Sequence, residues 1–256
     1  MDGGFEDLLH DAVRTVWVLG VPTLGPDVLR VRDDDLCFEF ALPALRRAVA
    51  GLPRRRALEQ LRHRFAAADA TARGSGSLQV GDAADWRLRI GPAWEEGEAA
   101  AAVVSLPLPE GFEAFVVRPG EHGELLHLPT AAAEQLGGRR AALGAALTRT
   151  ITGELVGVRV EDHHDARHLL RRVSLPGNPF VTAVLLSLPR FLPAGTTAAL
   201  VAAPGCDEVL LAPLTGDRDG ELTDLVRRLA QQRFAGSALP CTPHPHRWDG
   251  RRFHPA

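Results

Sequence analysis

The run Val28-Leu29-Arg30-Val31-Arg32-Asp33-Asp34-Asp35-Leu36-Cys37-Phe38-Glu39-Phe40 decides the fold class. Apolar positions recur every second residue on both sides of three aspartates, the period of a half-buried strand. Aspartate side chains bond to nearby backbone and tolerate left-handed geometry, so the triplet reads as a tight turn. Two strands joined this closely can only pair antiparallel, because a parallel crossover needs a dozen or more residues.

The same reading extends outward from this pair. Short apolar strands are expected at residues 86–90, 101–106, 112–117, 154–160, 197–203 and 208–213, with a tail pair around Arg247 and Phe253. Helical periodicity predicts helices at 5–19, at 42–70 with an interruption near Pro53, at 130–150, from Asp162 onward, at 180–191 and at 219–234. Strands mostly neighbour strands, and helices fall between groups of them. That ordering predicts an α+β protein with mainly antiparallel sheets and flanking helices. The composition of 73–77, centred on Gly74-Ser75-Gly76-Ser77, reads as a flexible linker. It would separate a small N-terminal αββα unit (1–72) from a larger mixed unit (78–256).

Composition removes whole chemistries. None of the 256 residues is lysine or tyrosine, so all 29 basic side chains are arginine. Without lysine there is no Schiff-base or pyridoxal chemistry, no P-loop cation and no kinase strand lysine. The types that are scarce are those with A- and T-rich codons, which predicts a GC-rich genome rather than selection at any one site. The net charge of −3, with signs interleaved, offers no field for nucleic acid or an acidic membrane. Arginine pairs such as Arg139-Arg140 lack interleaved aromatics for base stacking, which leaves nucleic acid a disfavoured partner. No run approaches the roughly 20 apolar residues that span a bilayer. Acidic residues precede any apolar stretch at the N-terminus, which is not the pattern of a signal peptide. Three widely spaced cysteines (Cys37, Cys206, Cys241) fit buried thiols in a reducing cytoplasm.

The stretch 161–253 resembles the C-terminal half of the YtpQ family of uncharacterised bacterial proteins. The matching residues are Asp162, Asp165-Ala166 and Leu169-Leu170, then Leu200 to Pro204, Asp207 to Ala212, the apolar helix at 222–234 and the tail around Trp248-Asp249-Gly250. Weaker similarity reaches back through 112–128 and 27–40. The resemblance implies a bacterial cytoplasmic protein and brings no activity or catalytic residue with it.

Two histidine-bearing clusters carry the remaining chemistry. In Glu161-Asp162-His163-His164-Asp165-Ala166-Arg167-His168, a helix beginning at Asp162 would set His164 and His168 on one face at metal-binding spacing. The same residues also read as a helix start, with Asp162 as N-cap and Asp165 as its capping-box partner. In Cys241-Thr242-Pro243-His244-Pro245-His246, an extended chain would point His244 and His246 the same way. A structural zinc site needs four ligands, and no second pair with suitable spacing is present. None of the six serines lies in a G-x-S-x-G elbow, and no glycine-rich nucleotide loop exists. The expectation is a cytoplasmic, non-enzymatic protein that needs no cofactor and acts through a surface for another protein or a small ligand. The alternative is a zinc-binding protein or metal-dependent enzyme using His164, His168, Cys241, His244 and His246.

Overall fold

The computed structural model describes residues 3–25, 27–34, 36–74, 80–94, 102–121, 123–164, 168–214, 219–237 and 239–256. In chain order its principal elements begin with α1 (Gly3–Val16), β1 (Val21–Leu24), β2 (Val28–Asp33), β3 (Leu36–Ala41), α2 (Leu42–Val49) and α3 (Arg54–Arg73). Next come β4 (Arg87–Pro92), β5 (Ser105–Pro107), β6 (Phe112–Pro119), β7 (Leu125–His127) and α4 (Arg139–Arg149). The C-terminal part holds β8 (Arg159–His164), β9 (Leu169–Ser174), β10 (Ala199–Gly205), β11 (Glu208–Pro213), α5 (Asp219–Gly236), β12 (His246–Trp248) and β13 (Phe253–Pro255). The protein is α+β, with two antiparallel sheets. Among the described residues no helix is long and apolar enough to cross a membrane.

The chain divides into two compact units. One comprises Met1–Trp86, Glu96–Val104 and Val116–Leu143; the other Arg87–Glu95, Ser105–Phe115 and Gly144–Ala256. The expected 73–77 linker falls within the span of the first unit, and residues 75–77 of it lie outside the described residues.

In the first unit β1, β2, β3 and β7 pair antiparallel in that order. The strand pair read from 28–40 is present, with Leu29 opposite Phe40 and Val31 opposite Phe38. Asp34 takes a φ of 50°, the left-handed turn conformation that a short polar side chain tolerates. Leu29, Val31, Phe38 and Phe40 share one sheet face and are wholly buried. Trp17, just after α1, and Phe65 of α3 close over that face. Ring centroids lie 5.1 Å apart for Trp17 and Phe38, and 4.8 Å for Phe40 and Phe65. α3 reaches this core because Ala57, Leu61, Phe65, Ala68 and Ala72 recur at helical spacing and form one buried stripe. The expected break near Pro53 is real: Gly51 (φ +74°) and Pro53 separate α2 from α3.

In the second unit the sheet order is β13-β12-β10-β11-β9-β8. Leu200, Ala202, Leu210 and Ala212 on one face pack with Leu222, Val226 and Ala230 of α5. The 3-10 segment Val181–Arg190 contacts β11 and β4, and Thr182 Oγ1 donates to the Ile90 carbonyl at 2.8 Å.

Three local expectations are corrected. The helix over 130–150 is split by Gly137 and Gly138, at φ +84° and +92°, into a 3-10 segment and α4. The strand expected at 154–160 begins only at Arg159, because Thr150–Glu154 prolongs α4 as a π-turn. Most consequentially, the helix expected from Asp162 is instead the hairpin β8–β9. Asp162 caps no helix; it pairs across the hairpin with Arg171. That partner is nine residues away, outside any local capping pattern.

Candidate functional site

The hairpin correction dissolves the helical spacing on which the first metal reading stood. His163 and His164 are successive residues of a strand, so their side chains leave opposite faces of the sheet. His168 lies in the connection before β9, and Asp165 lies outside the described residues. In the second cluster, Cys241 is buried and its N–H donates to the Pro204 carbonyl at 3.1 Å. His244 is exposed, whereas His246 is buried on β12 with its ring 4.7 Å from that of Phe112. Pro245 between them does not hold the two rings in one environment. Among the described residues, no group of three or more His, Cys, Asp or Glu side chains could hold a metal ion.

One cysteine–histidine–carboxylate arrangement exists that spacing could not reveal. Cys37 of β3 sits directly opposite His127 of β7, and Glu39 lies two residues along on the same face. His127 Nε2 is 3.7 Å from Glu39 Oε2, and Arg30 Nε donates to that same oxygen at 3.3 Å. The residue types are those of a nucleophile, a base and an orienting acid. Their surroundings oppose that use. Cys37 is 3% exposed and His127 is 0% exposed. Burial, with the Glu39 charge second, pushes the Cys37 thiol up to about 12. A thiol so far from ionisation supplies no thiolate at neutral pH. The cluster reads as buried polar packing within the first unit's sheet.

A different exposed feature is the outer hairpin of the second unit. β8 is the terminal strand of its sheet, and all six of its residues are exposed. The register places Arg159, Glu161 and His163 on the face that α5 covers further in, because Glu161 opposes Arg172 and Arg172 opposes Leu210. Val160, Asp162 and His164 lie on the other face with Arg171.

Charge on both faces is ordered by arginine forks. On the α5 side, Arg172 Nε donates to Glu208 Oε2 at 2.6 Å and Arg172 Nη1 to Glu161 Oε2 at 3.2 Å. Arg233 of α5 donates to the same Glu208 oxygen at 2.9 Å. Burial alone would lower the Arg172 pKa, but its hydrogen bonds to Glu208 and Glu161 outweigh that and raise it. On the opposite face Arg171 grips Asp162 with two bonds, at 2.6 and 2.7 Å, and donates to the Phe191 carbonyl at 2.7 Å. The Arg171 hydrogen bond holds the Asp162 carboxyl below the usual aspartate range. These forks fix the inner side of β8, while its outer backbone edge has no strand partner among the described residues.

The arrangement can therefore accept another extended chain, since the outward N–H and C=O groups of an edge strand form a template for pairing. No family model, no curated protein and no solved structure matches the chain.

Proposed function

We propose that this chain is a non-enzymatic binding protein that takes up another polypeptide as an added strand along β8. The observation that carries this reading is the exposure of six consecutive strand residues at a sheet edge. In strand addition, main-chain hydrogen bonds supply affinity, and alternate side chains supply selectivity. Arg159, Val160, His163 and His164 are the side chains available for selection, and Glu161 and Asp162 are already held by arginines of β9. The resemblance to the YtpQ family carries no activity and does not bear on this choice.

Peptides selected from a random library against the folded protein test the reading. Bound peptides should protect the backbone amides of 159–164 from hydrogen exchange, and Val160→Pro should abolish that protection by removing an edge donor. Selected peptides that protect only other segments would reject β8 as the site.

A further inference from the structure

We propose that the strand β8 accepts is β8 of a second copy of this chain, in one particular register. The inference rests on the edge-binding reading above and names its partner.

Two copies joined edge to edge by antiparallel β8 strands are related by a two-fold axis perpendicular to the sheet. That axis keeps like faces together, so opposed residues share a side-chain face and some residue must lie on the dyad, opposite itself. Like charges directly opposed across strands are destabilising, and opposite charges are stabilising. With Glu161 on the dyad, two glutamates meet. With Asp162 there, two aspartates meet, and with Arg159, two arginines. With His163 or His164 there, two histidines meet, which repel when protonated. With Val160 on the dyad, two valines meet at the centre and Arg159 faces Glu161 on both sides.

Only this last register removes every self-opposed ionisable group, and two observations support it. Val160 is 48% exposed although it is a strand valine, so a copy of itself would cover apolar surface now in water. The charges on the α5 face also continue across the junction. Within one chain they run Glu208, Arg172, Glu161, held by the 2.6 and 3.2 Å bonds of Arg172. Arg159 of the second copy extends this to an alternating row of negative, positive, negative and positive groups. The charges that keep the edge from pairing indiscriminately thus select a second copy as its partner.

The test is the oligomeric state of the full chain by sedimentation, measured across a concentration series. Wild type should be dimeric. Arg159→Glu and Glu161→Arg should each weaken the dimer by about tenfold or more, because each turns two attractive pairs repulsive. An equimolar mixture of the two variants should recover the dimer, since all four opposed groups are then of opposite sign. A misfolded variant could not give that recovery. A wild type that stays monomeric at every concentration overturns the self-pairing, and peptide protection of 159–164 would then show that the edge takes a different chain. A dimer that both single variants leave unchanged, or a mixture that does not recover, also overturns it. If selected peptides protect only other segments as well, the edge-binding reading falls with it.

Discussion

Arg171 grips both carboxylate oxygens of Asp162 across the β8–β9 pair, Nε to Oδ1 at 2.6 Å and Nη2 to Oδ2 at 2.7 Å. A residue that reads locally as a helix cap is thereby the outer half of a two-pronged cross-strand bond. The hairpin carrying it offers the proposed binding edge, so the strength and pH response of this pair bear directly on that edge.

The pair makes a stability prediction with a definite sign. A carboxyl whose folded pKa is depressed contributes stability that is present above its unfolded pKa, here 3.8, and is lost as pH falls through the lower folded value. Asp162 is partly open to solvent, so screening holds the contribution to about 1 kcal/mol or less. Asp162→Asn should be slightly less stable than wild type in urea at pH 7. The two unfolding curves should draw together as pH drops below 3.8. A difference that persists unchanged into acid would mean that the bidentate bond is not its source.

The aromatic core of the first unit sets a larger scale. Phe65 is wholly buried, with its ring 5.6 Å from Trp17 and 4.8 Å from Phe40. Phe65→Ala should cost about 3–5 kcal/mol, the range for removing a buried phenylalanine. Unfolding followed by tryptophan fluorescence would measure it. A loss below about 1 kcal/mol would show that the site collapses freely around the gap.

Thiol chemistry gives a third expectation. All three cysteines are buried and outside any disulfide, so a disulfide-exchange reagent should react with none in the native protein and with three after denaturation. Cys37 adds an alkaline response. In the folded state its thiol stays protonated to about 12, whereas the unfolded thiol ionises near 9. The unfolded chain therefore binds fewer protons between these values, and stability falls as pH rises through that window. Cys37→Ala should flatten the alkaline loss in a pH series of urea midpoints. An unaltered slope would assign that loss to other groups.

Zinc content settles the alternative metal reading. With His163 and His164 on opposite faces and Cys241 buried apart from exposed His244, gently purified protein should hold no stoichiometric zinc. His164→Ala and His244→Ala should leave its elemental analysis unchanged. One equivalent of zinc in wild type that disappears in either variant would restore the metal site.

Much of the architecture was legible because it is encoded at short range. The alternation around Asp33-Asp34-Asp35 specifies a hairpin, and the 57-61-65-68-72 stripe specifies a helix with one buried face. The Gly51–Pro53 break is likewise a local backbone constraint, readable from residue type alone. The candidate site was not legible in this way. His163, His164, Asp162 and Asp165 satisfy a helix-start pattern as well as a strand pattern, and local spacing could not choose between them.

The sequence by itself determined the α+β class, most element positions and the exclusion of lysine-dependent chemistry, because composition and periodicity act within a few residues. Only the tertiary structure decided that 159–164 is an edge strand. The bonds that hold it there come from Arg171 and Arg172 of β9, with Arg172 anchored in turn to Glu208 of β11 and Arg233 of α5. These partners stand nine or more residues apart in the chain, and pairing energy between distant strands overrides a local preference worth only a fraction of a kcal/mol to about 1 kcal/mol.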